Sequence, residues 1–129
     1  MVGFKRLDNL RMCVERVVAD GIAGDMIETG VWRGGASIFM CGVLKANGDL
    51  TRTVWLADSF EGLPKAQPGV WKDDERGRLS DFGTTLAVSL EDVQANFRRY
   101  GLLDDRVKFL KGWFKDTLPV APIERLAVA

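Results

Sequence analysis

The chain has 129 residues, which sets one domain as the ceiling. Lys+Arg and Asp+Glu both number 18, so no global field draws the chain to nucleic acid or to a membrane surface, and no apolar run approaches the roughly 20 residues of a spanning helix. Histidine is absent, which excludes Ser-His-Asp and Cys-His catalysis and every His-ligated metal site, while 47% apolar and 28% charged residues describe a soluble globular chain.

Leu7, Leu10, Val14 and Val17 recur at helical spacing. They predict a helix over about 5–20 within an N-terminal segment 1–21, with Gly21 placed to stop it. The opening "MVGFKRLDNL" has no signal-peptide core. Cys13 and Cys41 lack metal-type spacing and fall in helical patterns, so reduced, buried thiols in a cytoplasmic protein are expected.

"GDMIE" reads as a short buried strand ending at Glu28, followed by the Gly-rich turn of "IETGVWRGGAS". A second helix over about 35–46 is apolar on most sides and is broken by "NGD". "TVWLAD" is a continuous apolar strand ending in Asp58, the kind that suits a parallel sheet covered by helices. Residues 59–85, rich in Gly, Pro and charge, read as a lid-like loop.

"SLEDVQANFRRYG" restarts helix. Ser89 and Asp92 have capping-box spacing, Leu90, Val93, Phe97 and Tyr100 share a face, and Gly101 ends it. "RVKFLKG" is a third strand, "DTLP" opens a further helical turn with Thr117 as its cap, and "ERLAVA" begins a fourth strand. The alternation predicts an α/β fold, a Rossmann-like doubly wound parallel sheet. In that order the fourth strand lies beside the first. "RLAVA" then forms an apolar edge, from which either self-association, as in a homo-oligomer, or marginal folding is expected.

In such sheets ligands bind beyond the carboxyl ends of the strands. Residues 28–35, 58–60 and 112–114 converge there. Gly30, Gly34 and Gly35 let backbone approach a ligand, and N–H groups at the helix start can donate to a carboxylate or phosphate. Asp58 follows the turn by roughly 20 residues, the spacing of an acid that accepts from ribose hydroxyls. Trp113 and Phe114 are placed to flank an adenine. Each feature also has a purely structural reading. The glycines permit a tight turn, Asp58 caps the segment after it, Trp113 and Phe114 are core, and Trp32 and Arg33 are surface. The conjunction favours an adenosine-bearing ligand. It does not choose between a nicotinamide cofactor and S-adenosylmethionine, although the missing G-x-G-x-x-G weakens the former.

"GDMIETGVWRGGASIFM", "ADSFEGLP", "VSLEDVQANFRRYGLLDDRVKFLKGWFKDTLP" and the leading "MVGFKRLDNL" closely resemble the macrocin O-methyltransferase (TylF/MycF-type) family, over nearly the whole chain. The resemblance implies a class I methyltransferase fold and antibiotic biosynthesis. It implies O-methylation of a sugar hydroxyl on a small glycosylated acceptor, with S-adenosylmethionine and Mg2+. By the same resemblance Glu28, Thr29 and Gly30 line the amino-acid end of the cofactor. Arg33, Gly34 and Ser37 shape the turn and helix start. Asp58 holds the ribose with Ser59 beside it, and Gly112, Trp113 and Phe114 lie by the adenine. Family members continue past "ERLAV" into aspartate-bearing segments that supply the metal ligands and the general base. The expectation for 1–129 is therefore a single partial, truncated domain with no metal site of its own and no assigned catalytic residue. A nicotinamide-dependent oxidoreductase fragment and a non-catalytic interaction protein are the alternatives.

Overall fold

The computed structural model describes residues 3–64 and 86–129. Of the lid-like segment 59–85, only 59–64 fall in that range; 65–85 lie outside the described residues. Helix α1 spans Phe4–Ala19, strand β1 Asp25–Thr29, helix α2 Gly35–Ala46 and strand β2 Val54–Asp58. Helix α3 (Leu90–Arg99) and strand β3 (Val107–Lys111) come next. After them come a short helix α4 (Phe114–Thr117), a 3-10 turn (Leu118–Val120) and strand β4 (Leu126–Val128).

The four strands form one parallel sheet in the order β3-β2-β1-β4, so β4 lies beside β1 as the sequence predicts. The register sets Met26 against Val54 and Val54 against Val107, which aligns the carboxyl ends of β1, β2 and β3. Central β2 is buried along Val54, Trp55, Leu56 and Ala57, which explains why it reads as an unbroken apolar run.

Strand alternation sends residues to two faces. Met26, Val54, Leu56 and Val107 meet Val14 and Val17 of α1, Ile38, Cys41 and Leu44 of α2, and Val93 and Phe97 of α3 in the main core. Ile27, Trp55 and Ala57 turn the other way and pack with Leu110 and Ile123. Among the described residues the three long helices thus share one face of the sheet.

Each long helix ends the same way. After α1 the N–H of Gly21 donates to the Val18 carbonyl and that of Ile22 to the Val17 carbonyl. Gly48 and Asp49 close α2, and Gly101 and Leu102 close α3, with the same pair of bonds. This is the Schellman arrangement, and it requires a left-handed residue that glycine supplies cheaply. Helix α3 starts as predicted, with the Asp92 N–H donating to Ser89 Oγ at 3.1 Å.

Three expectations need correction. Tyr100 is 69% exposed. It is the C-cap of α3, where the chain turns away from the face that Val93 and Phe97 share. Cys13 is exposed because it sits on the flank of the α1 stripe centred on Val14 and Val17. Cys41 is buried, and burial pushes its thiol up to about 12, an inert core group. Thr117 makes no side-chain cap. The helical turn begins earlier, at Phe114, and Thr117 Oγ1 instead donates back to the Trp113 carbonyl at 3.2 Å.

The packing of α2 on α3 runs through Gly34. It has φ +81°, and a Cβ there would lie 3.0 Å from Val93 Cγ1 and 3.3 Å from Phe97 Cε2. A left-handed non-glycine costs about 1–2 kcal/mol and overpacking about 1–3 kcal/mol, so Gly34→Ala is expected to destabilise the chain by about 2–5 kcal/mol. Gly21, at φ +63° with nothing within 4 Å, isolates the backbone contribution. Gly21→Ala should cost about 1–2 kcal/mol. Urea unfolding of both variants checks this, and equal losses would mean that α3 does not press on the turn.

Candidate functional site

Three loops leave the carboxyl ends of β1, β2 and β3 side by side. Two backbone bonds continue the ladder beyond the strands: Gly30 N–H to the Ala57 carbonyl and Gly112 N–H to the Asp58 carbonyl, both 2.9 Å. Above them opens a cavity of about 410 Å³. Its lining includes Gly30, Asp58, Ser59, Gly112, Trp113 and Phe114, all of which the sequence singles out. A Cβ on Gly30 would meet nothing within 4 Å, so the backbone there faces open space. Trp113 is 38% and Phe114 43% exposed, which removes the reading that they are core.

Asp58 lies at the centre. Its Oδ2 accepts from the N–H of Val31 at 2.6 Å and of Trp32 at 3.3 Å. Its Oδ1 accepts from the N–H of Phe60 at 2.9 Å, and Ser59 Oγ stands 3.4 Å from it. One carboxylate therefore ties the turn after β1 to the turn after β2. Ser59 is buried and extends the link, donating to the Gly62 carbonyl at 2.9 Å and accepting from the Glu61 N–H at 3.2 Å.

The remaining candidates stand off the cavity. Glu28 reaches beneath the turn to the start of α2, where its Oε2 accepts from the Ser37 N–H at 3.0 Å and from Ser37 Oγ. The Ser37 N–H, one of the donors at this helix start, therefore already has an acceptor supplied by the chain itself. Ser37 is fully buried, and among the described residues every buried side-chain nitrogen and oxygen has a partner. Thr29 is exposed at the end of β1. Gly34 serves packing. Arg33 is exposed, with its guanidinium 4.8 Å from the Trp32 ring centroid and its carbonyl accepting from Asn96 Nδ2 at 3.0 Å.

Trp32, Gly62, Leu63, Pro64 and Leu86 also line the cavity and were not among the sequence candidates. Gly62, Leu63 and Pro64 lie within "ADSFEGLP", a signal that could have found them. Nothing in the string "VWRGG" reveals that Trp32 faces the cavity, because its backbone is left-handed, at φ +48°.

The model of a family described as "Macrocin-O-methyltransferase (TylF)" matches residues 1–129. The 8-demethyl-8-(2,3-dimethoxy-alpha-L-rhamnosyl)-tetracenomycin-C 4'-O-methyltransferase of Streptomyces olivaceus is 63% identical over 99% of this chain and 49% of its own length. The mycinamicin III 3''-O-methyltransferase of Micromonospora griseorubida is 56% identical over 99% of this chain and 51% of its own. The chain thus spans about half the length of the curated relatives it matches. Among solved structures, the O-methyltransferase NovP superimposes with a TM-score of 0.92 at 53% identity, covering 97% of this chain and 52% of that one. The calicheamicin methyltransferase CalS11, at 16% identity and a TM-score of 0.56, shares the fold.

Glu28 offers a test of the site's electrostatics. Burial raises its carboxyl above the ordinary glutamate range, the two bonds from Ser37 oppose that rise, and the charge of Asp58 adds to it. An acid raised in the folded state contributes stability that is full below its ordinary value and is lost as pH rises through the folded value. Glu28→Gln keeps the group neutral throughout. The variant should gain stability relative to the parent as pH climbs from the ordinary glutamate value toward neutrality. Urea unfolding at several pH values measures this difference. The opposite trend would mean that the Ser37 bonds to the carboxylate outweigh burial.

Proposed function

Because this chain belongs to the macrocin-O-methyltransferase family, we propose that its cavity binds S-adenosylmethionine and serves methyl transfer to a hydroxyl of a small glycosylated molecule. The observation that carries the reading is the cavity itself. Gly30, whose backbone faces open space, and Gly112, where a Cβ would press on Thr117 at 2.8 Å, meet a carboxylate, Asp58, and two half-exposed aromatic residues, Trp113 and Phe114, at the carboxyl ends of a parallel sheet. The relatives are named O-methyltransferases, so a nicotinamide cofactor is not favoured.

In this reading Glu28, Thr29 and Gly30 serve the amino-acid end of the cofactor, and Arg33, Gly34 and Ser37 hold the turn and helix start behind it. Asp58 and Ser59 lie by the ribose, and Gly112, Trp113 and Phe114 by the adenine. When bound, the cofactor supplies a methyl group activated on a sulfonium. The chain's own residues bind it, orient it and exclude water, because in-line transfer depends on alignment. The lid role of 59–85 belongs to the same proposal, with Gly62, Leu63 and Pro64 as its base on the cavity wall. Among the described residues no group of three or more Asp, Glu, Cys or His side chains comes together to hold a metal.

Calorimetric titration of the full chain tests the cofactor. S-adenosylhomocysteine should bind saturably, and NAD at least about tenfold more weakly, a gap of about 1.4 kcal/mol. Gly30→Ala should weaken S-adenosylhomocysteine binding further than its unfolding midpoint falls relative to Gly21→Ala, since its Cβ enters space that the protein leaves open. Tighter binding of NAD, or no binding of either by a folded chain, would sink the proposal.

A further inference from the structure

The helices that cover the sheet enclose a second depression, of about 490 Å³. Leu7 of α1, Phe39, Gly42 and Ala46 of α2, and Tyr100 and Leu102 after α3 line it. It shares no lining residue with the cavity at the carboxyl edge. Tyr100, the ring that helical spacing assigns to the core, is 69% exposed at this place. Phe4, 93% exposed, stands one turn before Leu7 on the same side of α1 and extends the apolar surface.

Gly42 lies inside α2, where glycine is less stable than alanine. The fold does not require it. Among the described residues a Cβ there would meet only Leu102 Cδ1, at 4.0 Å, an ordinary contact. A helix that keeps glycine where the fold has room for a methyl group leaves that space to something outside the fold.

Arg11 and Glu15 also line the depression. Arg11 Nη1 donates to both oxygens of Glu15, at 3.3 and 3.1 Å, and its Nη2 to Asp8 Oδ1 at 3.3 Å. A guanidinium has five N–H donors and a carboxylate about four acceptor positions, so both of these exposed groups keep capacity for a partner.

The surface thus carries both halves of each contact it can make: an exposed ring beside an apolar hollow, and a cation one helical turn from an anion. A foreign partner needs only one half of such a set. A twofold interface needs both, because residue i meets j and j meets i. Basic and acidic residues number 18 each, so no net charge keeps two copies apart.

We infer that this face of α1, α2 and α3 docks a second copy of the chain about a twofold axis. Tyr100 of each copy sits against the partner's Phe39 and Gly42, and Arg11 faces the partner's Glu15. The inference is independent of the cofactor reading, and it places the contact away from the β4 edge.

Light scattering of the full chain across a concentration series reads the association, and urea unfolding at the lowest concentration reads the monomer. The parent should pass from monomer to dimer and stop there, because a twofold contact closes. Tyr100→Ala is expected to raise the dissociation constant about tenfold with the monomer's midpoint unchanged. Gly42→Ala should raise that midpoint while weakening the dimer, whereas a glycine that serves only the fold would do neither. Arg11→Glu and Glu15→Arg should each weaken the dimer about tenfold by setting like charges together. Combined, they should restore it, since the exchange preserves every pair between copies. A parent that stays monomeric throughout, that grows beyond the dimer, or whose dimer is unchanged in both Tyr100→Ala and Gly42→Ala would overturn the inference. In the last case, loss of the dimer in Leu126→Lys would place the contact at the β4 edge instead.

Discussion

The walls of the cavity depend on the Asp58 carboxylate. It stands at the end of β2, between the loop that leaves β1 and its own continuing chain, and it accepts N–H groups from both. Hydrogen bonds to a charged acceptor contribute about 1.5–3 kcal/mol each, more than neutral ones. That is enough to hold two bulky residues, Trp32 and Phe60, in left-handed backbone at about 1–3 kcal/mol apiece. Without this half-buried carboxylate neither turn would have a reason to adopt its shape. The cavity is their joint consequence.

Glu28 has the corresponding role on the neighbouring strand, β1. Its carboxylate accepts from the third residue of α2, Ser37, and so caps a helix whose own N-cap, Gly34, has no side chain to do it. An acid reaching in from a strand end replaces the local cap. The glycines can then be reserved for other tasks: Gly34 for close packing on Val93 and Phe97, and Gly30 for open space at the cavity. Each acid at a strand end therefore shapes the loop that a ligand meets, whatever further contact it makes with that ligand.

Much of this was legible in the sequence. The helix ends at Gly21, Gly48 and Gly101 follow from a local rule, and buried parallel strands declare themselves as short apolar runs such as "VWLA". The convergence of Gly30, Asp58 and Gly112 also followed, because strand order places those ends together. The division of labour among the glycines of "TGVWRGG" did not. Gly30 and Gly34 share φ near +80° and differ only in what stands beyond them, which is α3 for Gly34 and the cavity for Gly30. The left-handed Trp32 was illegible for a related reason: the acceptor that stabilises it is 26 residues away. Tyr100 and Cys13 were misread because helical spacing finds the centre of an apolar stripe more reliably than its flanks and ends.

The opposite edge of the sheet is built on different terms. At the amino ends of the strands Arg52 pairs with Asp49 at 2.7 Å, with side chains only 12% and 11% exposed, and its Nη1 donates to the Gly24 carbonyl at 2.6 Å. Asp25 accepts from the Thr53 N–H at 3.0 Å and from Trp55 Nε1 at 2.9 Å, and Arg106 Nη1 donates to the Asp49 carbonyl at 3.2 Å. These bonds join the entries to β1, β2 and β3. Because the strands are parallel, all their amino ends lie on one edge and all their carboxyl ends on the other. The chain can therefore lock the register at one edge with satisfied ion pairs. The loops at the other edge are then free to carry strain, glycine and half-exposed aromatic rings, which a ligand-binding surface needs and a stabilising one does not.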